Sequence, residues 1–110
     1  MDFIAKIVLV NDEDGFFGPG VRDLLLHIDR EHSVKAACHA MDISYSKAWK
    51  MIRKVEKAMG EPAVLRNHGG AEGGSATLTP ACRALLDKYM SVEKKSNEAI
   101  RKILDGEFNE

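Results

Sequence analysis

The chain has 110 residues, which makes one domain the expectation; 45% of them are hydrophobic, enough for a core, and 30% are charged. No apolar run approaches the ~20 residues needed to cross a bilayer, which excludes a membrane-spanning class. A formal net charge of −1 leaves any contact with a polyanion to a local patch. That charge is unevenly spread. Residues 1–31 carry seven acids against three bases, residues 32–70 seven bases against three acids, and residues 71–110 seven acids against six bases. Cys38 and Cys82 stand far apart and in no CxxC pattern, so reduced, inert thiols of a cytoplasmic protein are expected.

The opening MDFIAKIVLVNDEDG has no basic leader and no small-residue cleavage site, and acids follow at once, so it reads as structure rather than as a signal peptide. Ile4 to Val10 is rich in β-formers and NDEDG at 11–15 is a turn signal, with Phe16-Phe17 as a short return strand. The leading hairpin is therefore expected over 3–17. Gly18-Pro19-Gly20 opens a helical pattern in which Val21, Leu24, Leu25 and Ile28 share one face. Ser33 is a candidate N-cap for a short helix from Val34 to Met41, Asp42-Ile43 makes a turn, and Ser44 caps a third helix ending near Met59 before Gly60. Short helix, tight turn and longer helix form a helix-turn-helix over 33–59.

Ala63 to Asn67 and Ser75 to Thr79 read as two strands joined by HGGAEGG, a glycine-rich wing over 63–79. Thr79-Pro80 starts a last helix expected to run to Asp105. Its residues Cys82, Leu85, Tyr89, Val92, Ser96, Ala99 and Ile103 are spaced alternately by three and four, an a/d-type seam. Leu85, Tyr89, Val92, Ala99 and Ile103 are the expected contacts with a second copy. The fold class is thus mainly α with small β hairpins: a winged helix-turn-helix over 1–79 and a C-terminal dimerisation helix over 80–110.

On a helical wheel, Ala48, Met51, Ile52, Val55 and Met59 share one face of the third helix, and Ser46, Lys50, Arg53, Lys54 and Lys57 the opposite one, with Lys47 at its edge and Trp49 on the flank. The ordinary reading of a lysine-rich helix face is solvated surface. Three features argue against it here. Acids are nearly absent, with only Glu56 near the edge; Ser44, Tyr45 and Ser46 sit where free N–H groups suit phosphate oxygens; and a supporting helix and turn precede it. Ser44, Tyr45, Ser46, Lys47 and Lys50 are expected at base edges and nearby phosphates of double-stranded DNA. Arg53, Lys54 and Lys57 are expected on the backbone, and Arg66, Asn67 and His68 at the base of the wing. The loop glycines lack a following Gly-Lys-Ser/Thr and lie between two expected strands, so a nucleotide P-loop is not expected. His27, His32, His39 and His68 are the only candidate bases; without HExxH, GxSxG or a second metal-ligand pair, neither an enzyme, a metal site nor a cofactor is expected. The competing reading is a winged helix used for protein–protein contacts, which the acidic first segment and Glu72 favour.

FFGPGVRDLLLHID, SYSKAW and LRNHGGAEGGSATLTP, in that order, resemble the N-terminal DNA-binding domain of the molybdate-responsive regulators of the ModE type, within the LysR-like winged-helix group. The resemblance covers nearly the whole chain. It implies a homodimeric transcription regulator whose helix at 44–59 reads an inverted repeat. It carries the DNA role to Ser44, Tyr45, Ser46, Lys47, Trp49 and Lys50, and a wing role to Arg66 through Gly74, with Trp49 expected to pack rather than read bases. Ala71-Glu72 stands where such wings often carry a basic residue. The oxyanion-binding domains of the family's full-length members lie beyond the resemblance, so direct molybdate binding is not expected in this chain.

Overall fold

A computed structural model of the chain describes residues 1–67 and 75–108. The chain starts with an extended arm, residues 1–8, followed by strands β1 (Leu9–Asn11) and β2 (Asp14–Phe17). Helices α1 (Pro19–Glu31), α2 (Val34–Met41) and α3 (Tyr45–Met59) come next. Strands β3 (Val64–Asn67) and β4 (Ser75–Leu78) and helix α4 (Pro80–Phe108) complete it. The two strand pairs are separate antiparallel sheets. Among the described residues no helix is long and apolar enough to cross a membrane.

Most helix ends follow from local chemistry. The Ser33 hydroxyl accepts from Ala36 N at 3.0 Å and the Ser44 hydroxyl from Lys47 N at 3.0 Å, each satisfying an amide that the helix itself leaves open. Gly60 ends α3 at φ 75°, a left-handed conformation that costs a residue without Cβ nothing. Thr79 Oγ1 accepts from Cys82 N at 3.1 Å and donates to Pro62 O at 2.8 Å, so one side chain both caps α4 and ties it to the entry of the wing.

The leading hairpin is shorter than its sequence suggests. Ile4 to Val10 was expected to form one strand, yet the ladder spans only Leu9–Asn11 against Asp14–Phe17, around a two-residue turn with Asp12 and Glu13 at φ 49° and 68°. The return strand has four residues before the helix begins, so the arm has no strand to pair with. It lies instead along α4, where Tyr89 Oη donates to Ile7 O at 2.7 Å and Arg101 donates to Met1 O and pairs with Asp2. Gly15 permits the close approach of the arm to the sheet: a Cβ there would stand 3.0 Å from Val8 Cγ1.

The core joins Phe17, Leu24, Leu25, Ile28, Val34, Ala37, Ala48, Ile52 and Val55 to Cys82, Leu86 and Tyr89. α4 therefore gives its first ten residues to the domain, Tyr89 packing on Phe17 with ring centroids 4.6 Å apart. The helix spans Pro80–Phe108, reaching three residues beyond the expected Asp105, and its outer half projects to give a molecule 62 Å long and 29 Å by 22 Å across. The wing is tied to the end of α1 by Ala76 N donating to His32 O at 2.8 Å, and its own two strands are joined once more at their inner end, Thr79 N donating to Ala63 O at 2.9 Å.

Candidate DNA-binding surface

Ala48, Ile52 and Val55 of α3 are fully buried, which fixes the rotation of the helix. Each residue turns the helix by about 100°, so Ser46, Lys50 and Lys57 point directly away from that buried face. All three are exposed. Arg53 flanks them on the side of the wing, and Lys47 and Lys54 on the side of the leading hairpin. Among the described residues, no ion pair joins Lys47, Lys50, Arg53 or Lys57 to a carboxylate. Lys54 differs: its Nζ lies 3.3 Å from Asp14 Oδ1 at the hairpin turn. Its charge is partly matched before any duplex arrives, and it belongs to the flank rather than to the centre of the face.

Glu56, the acid closest to the basic face, does not oppose it. Its Oε2 accepts from Ala63 N at 2.9 Å, orienting the chain as it leaves α3 for the wing. The aromatic flank is more organised than its sequence suggests. Tyr45, Trp49 and Arg53 are four residues apart on one ridge, Tyr45 and Trp49 meeting edge to face at 6.2 Å. The Arg66 guanidinium from β3 lies over the Trp49 ring at 4.7 Å and donates from Nη1 to Tyr45 Oη at 2.8 Å; Arg53 approaches the same ring at 5.9 Å. Trp49 itself is half-buried and packs against the core, as expected of it. Trp49 Nε1 is buried without a hydrogen-bond partner among the described residues.

Of the remaining expected contacts, Ser44 is exposed and its oxygen is occupied by Lys47 N, leaving its O–H proton to donate outward. Asn67 Nδ2 reaches Ser75 Oγ across the wing at 3.5 Å. His68, with the wing tip from Gly69 to Gly74, lies outside the described residues. Ser46, Lys50, Arg53 and Lys57 thus share the outward face of α3, with Ser44 at its capped start, Lys47 on the hairpin flank, and Tyr45 and Arg66 on the flank next to the wing.

The expected seam on α4 divides. Tyr89 is 1% exposed and belongs to the core, which corrects its assignment to a contact between copies; Cys82 is buried with it and Leu85 is half-buried. Val92 and Ile103 are 45% and 64% exposed, and Ala99 between them is also open. The arm takes another flank of α4, where Ile4 and Ala5 adjoin Asn97, Glu98 and Arg101. Val92, Ala99 and Ile103 are left open, with Ser96 half-buried between them. Contacts across long stretches of sequence orient α4, and nothing in local patterning announces them: Arg22 of α1 with Glu93, Arg83 with Asp29, and Arg101 over the Phe3 ring at 4.9 Å.

No three His, Cys, Asp or Glu side chains among the described residues are grouped to hold a metal ion. Both cysteines are buried, and burial pushes the Cys82 thiol up to about 11, which suppresses the reactive thiolate.

The family model of the bacterial regulatory helix-turn-helix proteins of the lysR family matches residues 23–83, from α1 to the start of α4. The chain belongs to that family. The LysR-type match contains the capped α3, its outward lysines and the wing. Among curated proteins the chain is 30% identical over 101 residues to the molybdenum transport protein ModE of Azotobacter vinelandii, covering 92% of this chain and 37% of the relative. It is 36% identical over 70 residues to the molybdenum-pterin-binding protein MopB of Rhodobacter capsulatus, covering 64% and 26%. It is 30% identical over 90 residues to the transcriptional regulator ModE of Haemophilus influenzae, covering 82% and 35%. The chain spans about a third of the length of these relatives.

Proposed function

We propose that this chain is the DNA-reading portion of a transcription regulator linked to molybdate transport or molybdenum metabolism, acting as a homodimer on an inverted repeat. The observation that carries the reading is the outward row Ser46, Lys50, Arg53 and Lys57 on a capped helix, unpaired with carboxylates among the described residues. Such a row costs nothing in desolvation until a duplex covers it, and then releases one counterion for each phosphate neutralised. Kinship to two proteins named ModE and one named MopB supports the molybdenum link.

In this reading the N-terminal half of α3 enters the major groove. Ser46, Lys47 and Lys50 face base edges and the nearest phosphates, and Arg53 and Lys57 the backbone further along. Ser44 donates its free O–H to a phosphate, and Asn67 and His68 follow the adjoining backbone from the wing. The stripe Val92, Ala99 and Ile103 of α4, with Leu85 at its inner end, meets its symmetry mate. The two recognition helices are then held about 34 Å apart, one turn of the duplex. Sensing of molybdate falls to a segment or partner outside these residues, the protein works in the cytoplasm, and it catalyses no reaction.

Selection of bound sequences from a random duplex pool, with and without molybdate, tests this. The expected result is an enriched two-fold repeat that does not depend on molybdate for this chain alone. No enrichment at low salt would promote the competing reading, a winged helix that docks on protein.

A further inference from the structure

The surface just described contains an arrangement that a row of phosphate-binding cations does not need. Arg66 is exposed and lies in a strand beside the recognition helix, yet its guanidinium is committed inward. It stacks on Trp49 and donates to the Tyr45 hydroxyl, both on the first two turns of α3. A planar guanidinium suits both contacts at once, one through its face and one through its edge; a lysine ammonium can make only one of them well. The inner end of β3 is held by buried Val64 and by Glu56 at Ala63, but towards the wing tip Arg66 is the hold on α3: Leu65 is 54% exposed, and Asn67 turns across the hairpin to Ser75.

We propose that Arg66 is a positioning residue of the DNA interface, locking the base of the wing to the leading turns of the recognition helix, with Tyr45 as the group it orients. The proposal rests on the DNA-binding reading above. A tyrosine hydroxyl has one proton and can accept as well as donate. Arg66 takes the acceptor side and leaves the O–H proton to point at a phosphate oxygen, and the adjacent positive charge makes that O–H a stronger donor. The base of β3 and the leading turns of α3 then meet the duplex as one preorganised unit, which lowers the ordering cost of binding. Arg66 acts through Tyr45 and Trp49 rather than by neutralising a phosphate.

Salt dependence separates the two roles. Each direct phosphate contact adds about 0.9 to the slope of log K against log salt, whereas a residue that only positions others leaves the slope alone. The test uses the full chain and a fluorescent duplex carrying the enriched repeat, titrated between about 50 and 200 mM salt. R66A should weaken binding about tenfold at every salt concentration, the scale of one stacked, hydrogen-bonded cation, with an unchanged slope. Y45F should weaken it by a similar factor, and the double variant should be little worse than either alone, because the two residues serve one contact. R66K should restore binding only in part.

A readout without DNA accompanies this. Trp49 is the sole tryptophan, so emission of the free protein reports the stack directly. R66A should open Trp49 to acrylamide quenching, and Y45F should not. A slope lower by about 0.9 per site in R66A, additive losses in the double variant, or R66A binding like the wild type would each overturn the proposal. Should R66A unfold, Y45F removes a single oxygen and decides the matter through its affinity and slope. A wild-type chain that binds no duplex at low salt, with Trp49 still shielded by Arg66, would sink the reading beneath the proposal instead.

Discussion

The double substitution Lys50→Ala with Lys57→Ala tests the orientation of the recognition helix most directly. Both lysines project opposite the buried Ala48, Ile52 and Val55, and neither is paired with a carboxylate among the described residues. Each should therefore neutralise one phosphate and contribute about 0.9 to the salt slope. Two lysines give about 1.8 per chain and about 3.6 for a symmetric dimer on its repeat. Over a fourfold rise in salt, a slope change of that size alters the affinity ratio of wild type to variant by about two orders of magnitude. Fluorescence anisotropy across that range measures it, and the folded state is checked by thermal melting, since exposed lysines leave the core untouched. Lys54 supplies the contrast. Its exposed pair with Asp14 is worth at most about 1 kcal/mol, but it keeps the lysine partly matched, so Lys54→Ala should change the slope by well under 0.9 per chain. Asp14→Asn should tighten binding by up to about fivefold at low salt, an advantage that fades as salt rises. A slope left unchanged by the Lys50 and Lys57 substitutions would remove this face of α3 from the interface.

Three further outcomes follow from the packing. Thr79→Val removes the cap on Cys82 N and the bond to Pro62 O together, and should lower stability by about 1–3 kcal/mol in a denaturant melt. Val92→Asp with Ile103→Asp places charge on the open stripe of α4 and should shift the protein to monomer in sedimentation while leaving its melting temperature at low concentration unchanged; Tyr89→Phe should do the reverse, costing about 1 kcal/mol for the lost bond to Ile7 O without altering assembly. Cys82 should make the fold sensitive to strong alkali. Its thiol is held neutral in the folded state up to about 11 but ionises from an ordinary 9.0 in the unfolded chain, so the stability owed to it is intact below about pH 9 and is lost as pH rises from there towards 11.

The helices of this chain were readable because their ends are decided within a few residues. Ser33 and Ser44 as caps, Gly60 as terminator and Thr79-Pro80 as a start depend only on neighbours, and α2 and α3 fall where those residues put them. Readings that depended on a partner fared differently. Ile4 to Val10 has strand chemistry, but a ladder needs an opposing strand, and the return of four residues supplies only a short one. The seam spacing on α4 is real, but spacing does not say which neighbour a face meets; Tyr89 meets Phe17 and the arm of its own chain. The lysines of α3 were legible as a face. That Lys54 turns to Asp14, Glu56 to Ala63 and Arg66 to Trp49 was not, because each partner arrives from a different part of the fold.

The arm also ties residues 1 and 2 to the outer half of α4. Arg101 grips the carbonyl of Met1 and the carboxylate of Asp2, and Met1 shares a hollow with Leu104, Asp105 and Phe108. Residues 1–2 and 104–108 are thus brought to one corner of the rod, on the outer half of α4 and away from the buried core. A dye carried at Asp2 or Asp105 would sit at that corner and leave the outward face of α3 unobstructed.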